Sequence, residues 1–133
     1  MGRIESFEDL EVWRLAVDLA AKIYQITLHF PKDEKYGIID QLKRAVTSIA
    51  ANIAEGFGRY HYKDSVKFLY NARGSLFEVR SHLLVAQKLG QIPKNKEEDL
   101  NQILKDIRNL GVKLNNFISA IMRKSKMLQL NDD

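Results

Sequence analysis

The chain has 133 residues, of which 45% are hydrophobic and 29% are charged, and these values are typical of one globular domain. It contains no cysteine, which excludes disulfides, thiolate catalysis and cysteine-based zinc sites from these residues. Lysine and arginine outnumber aspartate and glutamate by 21 to 17, and the resulting formal net charge of +4 permits an anionic partner without requiring one.

The amino-terminal residues show no basic segment followed by an apolar run, which a secretory signal would need. No stretch approaches the ~18 uncharged apolar residues of a membrane span. We therefore expect a cytoplasmic protein with no membrane partner.

The spacing of apolar residues predicts a first helix over residues 7–29. One apolar row steps by three and four residues and consists of Leu10, Trp13, Val17, Ala20 and Tyr24. A second row beside it consists of Val12, Leu15, Leu19, Ile23 and Ile26. The polar residues form only a narrow stripe, whereas a surface helix of a monomer shows a wide one. We therefore expect this helix to be buried on more than one side.

The second helix is predicted over residues 34–57. Pro31 separates it from the first helix, because the residue before a proline is pushed out of the α region. Its inward row consists of Ile38, Leu42, Ala45, Ile49, Ile53 and Phe57. Gly56 and Gly58 mark its end, since glycine adopts at little cost the left-handed conformation that closes a last turn.

The third helix is predicted over residues 62–89, with Gly90 as its C-terminal cap. Its inward row consists of Leu69, Ala72, Leu76, Val79, Leu83 and Ala86. The fourth helix is predicted over residues 95–122, with Asn95 as its N-cap.

The apolar pattern is lost after residue 122, which predicts a frayed tail over residues 123–133. Short connections between four helices of similar length make sequential helices antiparallel neighbours. The sequence therefore predicts a single all-α domain over residues 1–133, an antiparallel up-down-up-down four-helix bundle.

Two long segments resemble one bacterial family. They are Phe-Pro-Lys-Asp-Glu-Lys-Tyr-Gly-Ile-Ile-Asp-Gln-Leu-Lys-Arg-Ala (30–45) and Ser-Ile-Ala-Ala-Asn-Ile-Ala-Glu-Gly (48–56). Residues 7–13 and 68–78 are similar to the same family, that of the four-helix bundle proteins from intervening sequences in bacterial 23S rRNA genes. The resemblance covers about residues 6–122.

This resemblance implies a bundle that assembles as a ring-shaped homopentamer. It also implies nucleic-acid binding through a basic surface, as in similar proteins that accompany diversity-generating retroelements. Two positions depart from the family pattern. Ala50 stands where many members have proline, and His61 stands where a helix-capping serine or threonine is usual, so we expect a less well fixed start of the third helix.

A basic run with interleaved tyrosines is the main functional signal. Cations neutralise phosphates, and the rings of Tyr60, Tyr62 and Tyr70 can stack on unpaired bases. The candidate nucleic-acid-binding residues are Lys43, Arg44, Arg59, Lys63, Lys67, Arg73 and Arg80, with His61 beside them. This pattern permits an RNA or DNA interface. Because basic runs are common on protein surfaces, it more often indicates a solvated helix face, here with Asp64 and Glu78 as partners for some of the cations.

A polar stripe interrupts the apolar second helix and contains Gln41, Ser48, Asn52 and Glu55 together with Arg44. The steps of three and four residues place these side chains on one helical face. Buried polar groups need partners, so we interpret Gln41, Ser48, Asn52 and Glu55 as an assembly face hydrogen-bonded between subunits. A catalytic interpretation would use Glu55 as a base, but no histidine, lysine or metal set accompanies it.

No pattern typical of an active site is present. Di-metal four-helix bundles use Glu-x-x-His pairs, and no glutamate here is followed by histidine at the third position. We therefore expect no catalytic residues, no metal, no cofactor and no small-molecule substrate. The expected function is that of a non-enzymatic, homo-oligomeric bundle that contacts RNA or DNA. The alternative is a protein–protein interaction or scaffolding module with no nucleic-acid role.

Overall fold

Four α-helices follow one another along the chain. The computed structural model describes residues 3–34 and 37–132, with side chains through residue 128. The helices are α1 (Glu11–Thr27), α2 (Ile38–Phe57), α3 (Tyr62–Lys88) and α4 (Glu97–Asp132). Short 3-10 turns lie at Phe7–Asp9, Lys32–Glu34 and Lys94–Lys96. The described residues contain no strand, and the predicted all-α, four-helix fold class is confirmed.

The helices stand at the corners of a square, because α1 and α3 each pack on both α2 and α4. Ion pairs from Lys22 to Asp106 and from Lys113 to Glu11 join α1 to α4. The second pair lies earlier in α1 and later in α4 than the first, so these two helices run antiparallel. The core between the helices is formed by the rows that begin with Val12, Ile39, Leu69 and Leu100.

The chain enters α1 through a capped 3-10 turn and not through one continuous helix from residue 7. Ser6 accepts a hydrogen bond from the Glu8 amide, and the Asp9 carboxylate accepts from the Ser6 amide, which forms a capping box. Leu10 is then extended, with φ of −75° and ψ of 127°, so the regular helix begins only at Glu11.

The connection between α1 and α2 is longer than predicted. α1 ends at Thr27, two residues before the predicted end, and turns then lead to Phe30, which is buried in the core. A separate 3-10 turn occupies Lys32–Glu34, and α2 begins at Ile38, after Gly37, instead of at residue 34. Residues 35 and 36, which the sequence places in the first turn of the second helix, lie outside the described residues.

The glycines at the ends of α2 and α3 act differently. Gly90 has φ of +72°, and the amides of Gly90 and Gln91 reach back to Gln87 and Ala86, so the predicted glycine cap of α3 is confirmed. The left-handed cap predicted at the end of α2 is wrong, because Gly58 has φ of −77°. Gly56 instead permits a close approach of α3, since a Cβ there would lie 3.0 Å from the Ser65 carbonyl oxygen.

α4 differs from the prediction at both ends. Its entry is a 3-10 turn that includes Asn95, and no side chain caps this turn. Its end is Asp132, so residues 123–132 are helical and the predicted frayed tail is wrong for them; Asp133 lies outside the described residues. No proline or glycine follows Gly111, and half-buried Ile121 and Ser125 continue the inward row, which lets the helix run on.

Candidate assembly faces and nucleic-acid interface

The outer side of α1 beside α2 is an exposed apolar strip, which we call the α1/α2 face. Most of the second predicted row of the first helix enters the core. In the first row, Leu10, Trp13 and Ala20 are half-buried against the core. Val17 and Tyr24 of that row remain exposed. The exposed fractions are 38% for Val17, 43% for Tyr24 and 75% for Leu28. Lys43 of α2 lies over the Tyr24 ring, 4.9 Å from its centroid, which places this strip along α2.

A second exposed apolar strip lies along α3 beside α4, which we call the α3/α4 face. Tyr70, Phe77 and Leu84 recur at seven-residue spacing, so they share one side of α3, and they are 40%, 59% and 40% exposed. The Tyr70 hydroxyl lies 3.6 Å from the sulfur of Met122 in α4. Met122, on the adjoining side of α4, is about half exposed.

These two faces lie on opposite sides of the bundle. In the square arrangement, the edge formed by α1 and α2 is parallel to the edge formed by α3 and α4. Folding of one chain therefore leaves two different apolar surfaces exposed, each at the junction of two neighbouring helices. Exposed apolar patches of this kind are typical of interaction sites.

Part of the predicted polar assembly face is satisfied within the chain. The hydroxyls of Ser48 and Ser75 are 3.0 Å apart across the contact between α2 and α3, and Asn52 donates to the Ser48 carbonyl and hydroxyl oxygens. Glu55 forms an ion pair with Arg59, and Gln41 is exposed. The Ser48–Asn52 group therefore stabilises the α2–α3 pair without needing a second subunit.

The predicted cations of α2 and of the following turn lie in different surroundings. Lys43 covers Tyr24 on the α1/α2 face, whereas Arg44 forms an ion pair with Asp40, 2.9 Å away. Arg59 lies over the Phe68 ring, 4.5 Å from its centroid, in addition to its ion pair with Glu55. Lys43 and Arg44 are consecutive in the sequence, but they point in different directions because each residue of a helix is rotated by about 100° from the one before it.

The predicted cations of α3 divide into two groups. Lys63 and Lys67 are exposed in its first two turns, close to Tyr60, which is 93% exposed. Arg73 and Arg80 lie on the α3/α4 face, where Arg73 donates to the Asn115 side chain at 2.9 Å and lies over the Tyr70 ring. Glu78 does not pair with a predicted cation but lies 3.4 Å from His82.

Arg123, Lys124 and Lys126 of α4 lie near Lys63 in the first turn of α3. These three cations belong to the segment that was predicted to be a frayed tail. Lys63, Arg123 and Lys126 line an open cleft of about 420 Å³ whose other walls include Tyr62, Val66 and Met122. Lys124 lies beside this cleft, with its ammonium 5.9 Å from the centroid of the Tyr62 ring. The signal that could have identified them is the absence of helix breakers after residue 111.

No three histidine, cysteine, aspartate or glutamate side chains come together as a metal-binding group within the described residues. No helix in the described part of the chain combines the length and the apolar character needed to cross a bilayer.

Comparison with known proteins gives a family and a fold. The family model described as 23S rRNA-intervening sequence protein matches residues 8–116. A similar solved structure is that of a protein of unknown function from the S23 ribosomal protein family of Bacteroides thetaiotaomicron. It is 22% identical, the match covers 80% of this chain and 97% of that one, and the TM-score is 0.69, which shows a shared fold. No curated protein matches the chain. The chain belongs to the 23S rRNA-intervening sequence protein family.

Proposed function

We propose that this member of the 23S rRNA-intervening sequence protein family is a non-enzymatic bundle that assembles with copies of itself and binds RNA or DNA through its cations. The family resemblance implies a homopentameric ring. The observation that carries the assembly proposal is the pair of different apolar faces on opposite sides of one bundle.

Two different faces favour a head-to-tail contact between subunits. A contact that joins the α1/α2 face of one copy to the α3/α4 face of the next uses unlike surfaces, and repetition of such a contact closes into a ring when the rotation permits. A two-fold dimer would pair one face with itself and leave the other exposed. Burial of Val17, Tyr24, Phe77 and Leu84 in such contacts would remove exposed apolar area from water, which favours association.

Light scattering of purified protein tests the assembly. We expect a mass about five times the chain mass of 15.4 kDa, and Val17→Glu and Phe77→Glu should each reduce it, because each places a charge on one apolar face. Asn109→Glu is the matched control, since Asn109 is exposed one turn before Lys113, on the side of α4 that pairs with α1. A mass of 15.4 kDa for the unmodified protein would refute the assembly.

Mixing the two charged variants tests the head-to-tail geometry. The Val17→Glu variant keeps an intact α3/α4 face, and the Phe77→Glu variant keeps an intact α1/α2 face. If the contact is head-to-tail, an equimolar mixture forms a heterodimer of twice the chain mass. If each face pairs with itself, mixing produces no such heterodimer, and the ring geometry is wrong.

The nucleic-acid part of the proposal is supported by the exposed cations Lys63 and Lys67 beside the exposed ring of Tyr60. Binding to phosphates releases counterions, so affinity for an oligonucleotide should fall steeply as salt is raised. Neutralising Arg59, Lys63 and Lys67 together should weaken it. A protein that binds no oligonucleotide at low salt would instead fit the alternative of a protein–protein interaction or scaffolding module.

A further inference from the structure

The carboxyl-terminal part of α4 extends beyond the segment that the family model matches. The match to the family model ends at residue 116, whereas α4 continues to Asp132. α4 has 36 residues and α3 has 27, which correspond to about 54 and 40 Å of helix. The additional turns of this chain therefore bring their own side chains to the end of the bundle where α3 begins.

The cleft at this end combines positive charge with apolar walls. Lys63 of α3 and Arg123 and Lys126 of α4 supply cations, while Val66 and Met122 supply apolar surface. Among the described residues, no carboxylate lines the cleft. Other cations of the chain, such as Arg44, Arg59 and Lys113, pair with a carboxylate, whereas no ion pair among the described side chains involves a cation of the cleft.

An aromatic ring lies next to these cations. Tyr62 is half-buried and lines the cleft, and the Lys124 ammonium lies 5.9 Å from its ring centroid. Aromatic rings provide stacking surfaces for bases that are not paired, and adjacent cations neutralise the backbone that carries those bases. The bases of a duplex are stacked on each other and reach a protein mainly by their groove edges, so a duplex would leave the ring and the apolar walls unused.

We propose that this cleft is a binding site for single-stranded nucleic acid. Lys63, Arg123 and Lys126 contact phosphates, and an unpaired base lies against Tyr62 and the apolar walls formed by Val66 and Met122. This inference rests on the proposed nucleic-acid role and assigns that role to a site built partly by residues beyond the family match. A basic helix can also bind an anionic membrane surface. The inward residues Ile118 and Ile121 are buried or half-buried in the bundle, and the exposed apolar residues Met122, Met127 and Leu128 lie at least about 100° apart around α4. The segment therefore has no single apolar face for a membrane, which favours the nucleic acid.

The test measures the fluorescence anisotropy of a labelled 12-nucleotide single strand with the full-length protein. The variant Arg123→Gln/Lys124→Gln/Lys126→Gln removes three cations at the cleft. The matched control Lys32→Gln/Lys94→Gln/Lys105→Gln removes three exposed cations elsewhere, two of them in the connections between helices. Both variants have the same net charge, and circular dichroism and light scattering verify that helix content and assembly are unchanged.

We expect the cleft variant to weaken binding at least tenfold and the control variant less than twofold. The slope of log K against log salt should become shallower by about 1.4 for the cleft variant, since it removes the two phosphate contacts of Arg123 and Lys126 and each contributes about 0.7 for a single strand. Tyr62→Leu should weaken binding of the single strand by about tenfold, because leucine keeps apolar bulk but offers no ring for stacking. The same substitution should leave the weaker binding of a duplex nearly unchanged.

Four results would overturn the proposal in distinguishable ways. Equal losses in the two triple variants would show a general effect of net charge, and equal losses of duplex and single strand on Tyr62→Leu would exclude base stacking. Salt-dependent binding that the cleft variant retains would exclude this site while leaving the proposed function intact. Binding of anionic lipid vesicles but of no oligonucleotide would contradict both proposals.

Discussion

Gly56 lies at a close approach of α2 and α3, and alanine at this position should destabilise the bundle. Its ideal Cβ would lie 3.0 Å from the Ser65 carbonyl oxygen and 3.3 Å from the Phe68 Cβ. The first of these neighbours is backbone, which cannot turn aside as the end of a flexible side chain can. The Ser65 hydroxyl also donates to the Gly56 carbonyl oxygen at 2.7 Å, so a separation of the helices would lengthen a buried hydrogen bond.

Two opposing effects determine the magnitude. Overpacking of a tight contact costs about 1–3 kcal/mol. Alanine is favoured over glycine within a helix by about 1 kcal/mol, and by less near the end of one, where Gly56 stands. We therefore expect Gly56→Ala to lower the free energy of unfolding by about 1–2 kcal/mol.

Gly74 provides the matched control because it lies within α3 and, apart from its chain neighbours and the backbone of its own helical turns, nothing is within 4 Å of its ideal Cβ position. Gly74→Ala should raise the free energy of unfolding by about 0.5–1 kcal/mol. Urea unfolding followed by circular dichroism measures both changes, with all proteins at one concentration because self-association would affect the midpoint. A Gly56→Ala midpoint at or above that of the unmodified protein would refute the steric argument, and a lowered Gly74→Ala midpoint would refute the propensity argument.

Two further predictions concern the amino-terminal turn and the core. Hydrogen bonds from the amides of Glu5 and Ser6 lower the pKa of the Asp9 carboxyl below its ordinary value of 3.8. The ionised carboxylate therefore stabilises the folded state fully at pH values above the pKa of Asp9 in the unfolded chain. This stabilisation is lost as the pH falls through the lower pKa of Asp9 in the folded chain. The melting temperature of Asp9→Ala should therefore be lower than that of the unmodified protein at neutral pH, and the difference should vanish in acid; a difference independent of pH would contradict this. Leu42→Ala removes a side chain with 0% exposure and should cost about 2–5 kcal/mol in urea unfolding, whereas Leu89→Ala, at 64% exposure, should change stability by less than about 0.5 kcal/mol.

The apolar rows predict the helices and most of the core, because helical period and burial are local properties of the sequence. The row from Leu69 to Ala86 is buried as predicted. The two rows of the first helix are harder to distinguish, since both have the correct spacing and only tertiary packing decides which enters the chain's own core. The continuation of α4 beyond residue 122 is also difficult to predict from the sequence. The inward row continues with the polar residue Ser125, which interrupts the apolar pattern without ending the helix.

The candidate nucleic-acid site was less accessible to sequence reasoning. Lys43 and Arg44 are neighbours in the chain, yet one lies on Tyr24 and the other pairs with Asp40, because consecutive residues of a helix point about 100° apart. Conversely, Tyr62 and Lys124 are brought together only by the pairing of α3 with α4. A linear run of cations therefore does not identify the surfaces on which those cations lie in the fold.

The proposed cleft lies at one end of the α3/α4 face and shares Met122 with it, but Phe77 stands 11 residues after Val66, about 16 Å along α3, so assembly and binding can be tested separately. The apolar faces run along the sides of the bundle, whereas the cleft lies where α3 begins and α4 extends beyond the family match. In a closed ring, rotation about one axis relates all copies of the cleft, so a strand long enough to reach several of them gains affinity through effective concentration. A 12-nucleotide strand that reaches one cleft gains nothing from the other copies. Phe77→Glu should therefore leave the affinity for the short strand nearly unchanged and weaken binding of a long one, whereas equal losses for both lengths would show that assembly builds the site itself.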